Sequence, residues 1–363
     1  MIKVPDSIKN LKPYVPGRSI EEIKEAYGLT EIHKLASNEN PLGASPKAIE
    51  AMQKTFSFVH RYPDIGAAKL RNKIAEKFDV KVENVAVGNG SEGIMGVIMK
   101  AFLMEGDEMI TSEATFIGFQ VLARGKANKC IYVPMSRETY KFDLDAILKE
   151  INVKTKLIYL CNPNNPTGTV FTKTEFDEFI KHVPDSVLVL LDEAYYEYAS
   201  HHEDYPDSMH YRYDNVLTLR TFSKAYGIAG IRVGYAFGHK DLIETIMKVK
   251  LPFEPGNVAQ EGAFAALGDD EFLSKTQELN KDGYEYLTGE FTKLGLKWFP
   301  SYSNFILIDL GSEAEVTRFN EELLKQGVII RPLKPFGLEN CIRVTIGIPS
   351  ENEFLIEALK KVE

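Results

Sequence analysis

The chain has 363 residues, of which 44% are hydrophobic and 26% charged, enough for a large core in one or two domains and too ordinary for bulk disorder. Its net charge of -9 argues against a general nucleic-acid binder, which needs a basic surface, while leaving room for local pockets that take small anions. Three cysteines (Cys130, Cys161, Cys341) without CxxC spacing, no apolar signal segment in "MIKVPDSIKNLKPYVPG" and no apolar run longer than "VLVLL" point away from a disulfide framework, a zinc site or a membrane partner, and toward a cytoplasmic protein.

The first forty or so residues are rich in turn formers ("KPYVPG", "SNENPLGASP") and read as an extended arm with a short helix around "SIEEIKEAYG". From "SPKAIEAMQKTF" onward, helical stretches such as "SEGIMGVIMKAF" and "TKTEFDEFIKH" alternate with short apolar strands. The strands are "ENVAVGNG", "DEMITSEA", "NKCIYVPM", "KLIYLCNP", "SVLVLLDEAY" and "NVLTLRTF". Continuous apolar strands mean burial on both faces, which predicts a mostly parallel sheet in an α/β domain. After about Leu251 a long helical region leads to "KWFPSYSNFILIDL", a helix "AEVTRFNEELLKQG", then "VIIRPL" and "NCIRVTIG". This change of texture predicts a second, smaller α+β domain.

In open parallel sheets, ligands bind beyond the carboxyl ends of the strands. The unusual polar residues sit at those ends. "AVGNG" runs into "SEGIMGVIMK", a strand, a glycine turn and a helix start. The free N–H groups there suit an anion; the plainer alternative makes Ser91 an N-cap. "YLCNPNNPTG" sets Asn165 in a Pro/Gly loop, where ordinary turn chemistry is the alternative. "VLVLLDEAYYEY" ends an apolar strand on Asp192, which needs a cation or several hydrogen bonds unless it caps a helix. Tyr195 lies three residues further and can share its cavity. "RTFSKAYGIAGIRVGY" places Lys224 between Ser223 and small or apolar residues, with Arg232 eight positions on. Surface lysines ordinarily have polar neighbours, so this one reads as held indoors. One ligand explains the set. Its phosphate needs Ser91, the helix N-terminus, Ser223 and Arg232. Its protonated pyridine nitrogen needs Asp192, its ring oxygen needs Asn165 and Tyr195, and its aldehyde needs a desolvated Lys224. Those requirements describe pyridoxal 5′-phosphate (PLP).

"KLASNENPLGASP", "RYPD", "GNGSEGI", "CNPNNPTG", "DEAYYEY", "TFSKAYGIAGIRVGY", "SNFIL", "GVIIRPL" and "IRVTIG" follow in order over nearly the whole chain. With them the sequence resembles the fold-type I PLP-dependent aminotransferases, and within them the histidinol-phosphate aminotransferase branch. The resemblance implies an α/β fold: a large domain with a mostly parallel seven-stranded sheet sandwiched by helices, plus a smaller α+β domain. The implied division is residues 1–45 as an N-terminal arm with part of the small domain, 46–255 as the PLP-binding domain and 256–363 as the small domain. Lys224 matches the lysine that links covalently to the cofactor, and Asp192 the partner of its ring nitrogen. Asn165 and Tyr195 match the ring-oxygen donors, with Tyr195 counted beside Lys224 and Asp192 in catalysis. Ser91, Ser223 and Arg232 match the phosphate cup, with Glu92 beside it. Phe116 falls where an aromatic ring stacks on the cofactor; it keeps the stacking face of the tyrosine often found there and lacks the hydroxyl. Tyr62 matches a tyrosine that crosses a homodimer interface to the other subunit's cofactor, so shared active sites are implied. Arg343 matches the arginine that grips the substrate anion. Arg331 and Tyr14 match contacts to the substrate's phosphate end, and Asn40 a residue lining the pocket. One departure is local: the family commonly reads Ser-Asp-Glu where this chain has Ser91-Glu92-Gly93. An anion site made of backbone N–H groups tolerates that change; the role of the second acidic side chain is not carried over.

The implied reaction is transamination between L-histidinol phosphate and 2-oxoglutarate, in histidine biosynthesis, with the ping-pong kinetics of two half-reactions. The alternative is an aminotransferase for phenylalanine or tyrosine.

Overall fold

The computed structural model describes residues 2–4, 6–9, 19–126, 129–208 and 214–362. In chain order its strands are β1 (His33–Lys34), β2 (Val85–Gly88), β3 (Glu108–Ser112), β4 (Lys129–Val133), β5 (Thr155–Cys161), β6 (Leu188–Asp192), β7 (Val216–Thr221), β8 (Gly234–Gly238), β9 (Lys297–Phe299), β10 (Phe305–Asp309), β11 (Val328–Ile329), β12 (Arg331–Pro332) and β13 (Cys341–Thr345). Seven of them form the main sheet in the order β2-β8-β7-β6-β5-β3-β4. Neighbours run parallel except where β8 pairs with β2 and β7. β6 and β7 are buried at every position and β5 at all but Lys156, as their continuous apolar sequences require of strands covered on both faces.

Helices Gly90–Phe102, Ile117–Gly125, Lys173–Lys181 and Lys240–Val249 cover one core with residues such as Ile94, Phe119, Phe176 and Ile243. Helices Pro46–Thr55, Ala68–Lys77 and Asn257–Leu267 cover the other with Met52, Ile74 and Ala263. Along β2 and β8 the pleat alternates between them: Ala86 and Ala236 enter the first core, Val85, Val87, Tyr235 and Phe237 the second. β8 carries little strand signal of its own, because glycine at both ends weakens a strand. Close packing calls for those glycines. A Cβ at Gly234 would lie 2.6 Å from Ser91 N, and one at Gly238 2.4 Å from Leu217 Cδ2.

The long helical region after Leu251 divides at Gly268 and Asp269 into Asn257–Leu267 and Asp270–Lys293. Its first part, beyond the expected boundary at 255, packs on the main sheet through Ala259, Ala263 and Ala266, whose small side chains allow close approach. The smaller layer is an antiparallel sheet in the order β12-β13-β10-β9. Ile306, Ile308, Ile342 and Val344 meet Leu287, Val316, Leu323 and Leu355 of the helices outside it. Leu307 and Cys341 alternate with them and join the main core, so Arg343, between Ile342 and Val344, faces the main sheet. β1 pairs in parallel with β11, and Leu35 continues the link by donating to Ile329 O at 2.8 Å. The arm is thereby tied to the small layer and carried toward the carboxyl edge of the main sheet. The expected architecture, a mostly parallel seven-stranded sheet between helices with a smaller α+β layer, is the one found. No described helix is long and apolar enough to cross a membrane.

Candidate active site

β5 and β6 end level with one another, Cys161 opposite Asp192, and β7 runs two residues further, with Leu219 opposite Asp192 and Thr221 at its end. β8 runs the other way, so its start at Gly234, opposite Gly88 and Thr221, lies at the same edge and brings Arg232 there. A cavity of about 180 Å³ opens at this edge. It gathers Ser91, Glu92, Ser223 and Arg232 at one end, Phe116, Asn165, Asp192 and Tyr195 around the middle, and Lys224.

Asp192 closes β6 and is 2% exposed. It caps no helix: the short helix that follows, Tyr196–Ala199, begins after Tyr195. Its Oδ2 accepts from the Tyr159 hydroxyl at 2.7 Å, while Oδ1 is buried without a hydrogen-bond partner. Burial pushes the carboxyl up to about 7, against the pull of Tyr159. An orphaned carboxylate oxygen at this depth is the group a protonated ring nitrogen would satisfy.

Lys224 lies three residues past the end of β7 and donates to Ser37 O at 3.2 Å. Burial, reinforced by the positive charges of Arg343 and Arg232, brings its ammonium down to about 8. Arg343 donates to Asn165 Oδ1 and, at 2.7 Å, to Ala36 O. That leaves the amide N–H₂ of Asn165 as its donor end. The Tyr195 oxygen accepts from Asn38 Nδ2 at 2.9 Å, so its own hydroxyl proton remains to be donated. Burial raises the Tyr195 phenol, which keeps it a donor at neutral pH. Asn38 is itself fixed by Thr345, whose Oγ1 donates to Asn38 Oδ1 at 2.9 Å, and it has the positive φ of 57° that asparagine tolerates. Ala36, Ser37 and Asn38 thus close one side of the cavity.

At the other end, helix Gly90–Phe102 starts after Asn89, not Ser91, and has no side-chain cap, which leaves its first-turn N–H groups for an anion. Gly90, at φ +73°, makes room for Arg232: a Cβ there would lie 2.9 Å from Arg232 Nη2. Arg232 reaches toward Ser223 Oγ at 3.5 Å and Glu92 Oε2 at 3.4 Å, so Glu92 faces the cup from inside the cavity. Together the unpartnered Asp192 oxygen, the partly desolvated lysine and the uncapped helix with its arginine fit PLP.

Other candidates lie apart from the cavity. Asn40 Nδ2 donates to Ala225 O at 2.9 Å and to Thr276 Oγ1 at 3.0 Å, and its Oδ1 accepts from Leu42 N, so its polar atoms serve the framework behind Lys224. Arg331 stands opposite Arg343 on the neighbouring strand. Tyr62 is 80% exposed and stacks on Phe253 with ring centroids 4.3 Å apart. Tyr14 lies outside the described residues. Sequence reasoning did not single out Tyr159, Ser37 or Asn38. Only Asn38 carried a signal, as an asparagine in a turn-rich stretch.

The sequence profile of the family "Aminotransferase class I and II" matches residues 30–359. The histidinol-phosphate aminotransferase of Moorella thermoacetica is 41% identical over 99% of this chain and 93% of its own length. Histidinol-phosphate aminotransferase 2 of Hydrogenovibrio crunogenus is 42% identical over 98% of this chain and 95% of its own. Among solved structures, the histidinol-phosphate aminotransferase of Sinorhizobium meliloti, in complex with pyridoxal-5′-phosphate, superposes with a TM-score of 0.91 at 26% identity, covering 100% of this chain and 98% of that one. A cavity of this composition, on this fold, in a sequence this similar, has one classification: the chain belongs to the class I and II aminotransferase family.

Proposed function

We propose that the chain transfers the amino group of L-histidinol phosphate to 2-oxoglutarate, with PLP as cofactor. The observation that carries this reading is the meeting of Lys224, the unpartnered Asp192 oxygen and Arg343 around one cavity edge; the relatives' names supply the substrate. When bound, PLP supplies an electron sink for the pair left behind when the substrate loses its α-proton. Asp192 Oδ1 holds the ring nitrogen, Asn165 and Tyr195 donate to the ring oxygen, and Phe116 covers the ring face. Ser91, Ser223, Arg232 and the helix N-terminus take the phosphate. Lys224 would hold the aldehyde carbon, and its Nζ, when free, would take the proton from the substrate Cα and hold it within the cavity. A pKa near neutrality suits that work.

Arg331 and Arg343 are paired across β12 and β13, so their side chains share a face. An anion relieves such a pairing, and the amine's phosphate and the acceptor's carboxylates both supply one. Arginine's fork suits both. Tyr14 belongs, in this reading, to the same phosphate end. The working unit is a homodimer with shared sites. Its support is the exposed apolar face made by Tyr62 with Phe56, Phe58, Val59 and Leu251, each more than half exposed. The unpatterned cysteines support a reducing, cytoplasmic setting.

The test is a competition of histidinol phosphate, phenylalanine and tyrosine as amino donors at equal concentration. Histidinol phosphate is expected to win by kcat/KM, and histidinol without its phosphate to be poor. If phenylalanine or tyrosine wins, the aromatic reading replaces this one. Lys224→Ala should abolish turnover while the phosphate cup still retains cofactor. Arg343→Ala should lower kcat/KM for both the amine donor and glutamate by about a hundredfold or more, since removing one member of a buried charged contact costs roughly 3 kcal/mol or more.

A further inference from the structure

We infer that Tyr159 is a positioning residue for the cofactor: it fixes the Asp192 carboxylate so that Oδ1, and not Oδ2, is presented to the ring nitrogen. The inference rests on the PLP reading above and goes beyond it to a residue that touches neither cofactor nor substrate.

Tyr159 lies inside β5, two residues before its end, and Asp192 ends the neighbouring β6. The tyrosine is 0% exposed. Its ring lies flat on Phe119, with centroids 4.0 Å apart and planes 7° from parallel, so it has little room to turn. Its carbonyl is held as well, accepting from Thr111 Oγ1 at 2.9 Å. Held so, the hydroxyl donates to Asp192 Oδ2 at 2.7 Å, with the Cys161 thiol as its other neighbour. Burial beside Asp192 raises the phenol well above its ordinary value, so the oxygen keeps its proton throughout the working range.

This arrangement does two things. A carboxylate can turn and exchange its oxygens; a short hydrogen bond from a locked donor holds one of them. The other is left as the unpartnered atom facing the cavity. The second effect is on charge. Asp192 is surrounded by groups that do little for its anion: Cys161 on β5, Glu193 and Tyr195 beyond β6, and Glu92 on helix Gly90–Phe102. Lys224 favours the anion only while it is protonated. Two neutral donors favour it at every pH, the Ala194 backbone N–H and the Tyr159 hydroxyl, and Tyr159 is the side chain of the two that opposes the burial that would otherwise neutralise the group.

The test compares the unaltered protein with Tyr159→Phe, which keeps the ring stack and removes only the hydroxyl, and with Phe119→Leu, which disturbs the stack and keeps the hydroxyl. Cofactor-free proteins are titrated with PLP, and the visible absorbance of the loaded proteins is followed against pH. Tyr159→Phe should weaken PLP binding by about tenfold or more, the worth of a hydrogen bond to a charged group. It should also move the pH midpoint of the visible band, which reports the Lys224–cofactor linkage and responds to the charge that Asp192 holds on the ring nitrogen, by about one pH unit. Phe119→Leu should lower the melting temperature with a smaller change in that midpoint. If Tyr159→Phe binds PLP as tightly as the unaltered protein, with an unmoved midpoint, the positioning role is overturned. If the unaltered protein binds no PLP, the cofactor reading itself fails.

Discussion

Lys224 carries its charge at a cost that pH can reveal. Its ammonium sits at about 8, below the ordinary lysine value of 10.5, because of burial and of the Arg343 and Arg232 charges. Below about 8 both folded and unfolded chains hold the proton, and the folded chain bears the penalty. Between about 8 and 10.5 the folded chain has released the proton while the unfolded chain retains it, so stability rises with pH across that window. Lys224→Met should therefore raise the melting temperature of the cofactor-free protein at neutral pH, with an advantage that closes as pH climbs through the window. Melting curves of both proteins over that range check this; a constant advantage would show that packing, not charge, explains it. Lys224, Asp192 and Asn165 were legible in the sequence because each follows an apolar strand, where parallel sheets place their ligands. The residues that complete the site were less so. Ser37 acts through its carbonyl, which any residue possesses. Tyr159 is hidden inside a strand buried on both faces, where an aromatic residue looks like core. Asn40 drew attention in the same stretch, yet Asn38, two residues earlier, reaches the site.

At the level of elements, the phosphate end depends on how closely helix Gly90–Phe102 approaches β8. A methyl group at Gly234 would lie 2.6 Å from Ser91 N, 2.8 Å from Gly90 C and 3.0 Å from Arg220 O. All three are backbone atoms, so no side chain can swing aside. Beneath them Arg220 is immobile too, fully buried, with Nη2 2.8 Å from Glu193 Oε2 and its guanidinium 3.2 Å over the Tyr196 ring. The helix start would have to move, taking the anion site with it. Gly234→Ala should lose about 1–3 kcal/mol of stability, as overpacked sites do. It should also weaken PLP binding more than Gly289→Ala, at a helix glycine with open space around it. Equal binding by the two variants would mean that the close approach is not what builds the cup. The same crowding explains why β8 was hard to read. Its glycines are selected by neighbours far away in sequence, and they erase the apolar pattern from which the other main-sheet strands were read. β2, β3, β5, β6 and β7 needed no such help, since burial is written into each of them separately; β4, at the sheet's edge, reads as apolar yet is buried only at Val133.

For the whole molecule, the question is what covers the apolar face around Tyr62. Tyr62 is 80% exposed although an aromatic ring supports it, and Phe56, Phe58 and Leu251 are exposed by 58–61%. Exposed aromatic residues grouped this way mark an interface. A second copy of the chain is the proposed occupant, with each Tyr62 serving the other subunit's phosphate site. This makes a sharp prediction for hybrids. A subunit with Tyr62→Ala has an intact lysine but gives its partner a damaged contact. A subunit with Lys224→Ala has a dead site but lends its partner an intact tyrosine. In a hybrid dimer one site carries both changes and the other carries neither. Neither parent dimer has an intact site. Mixing equal amounts, with unfolding and refolding together, should randomise the pairs, so roughly a quarter of the original sites return. Activity should exceed the sum of the separately refolded parents and should rise with protein concentration as dimers form. The control is a mixture of the refolded parents made after refolding, which should gain activity only as fast as subunits exchange. Activity of the co-refolded mixture no higher than that sum, from dimers seen by sedimentation, would leave the dimer standing and remove the sharing of sites. Full activity from a monomer would remove both.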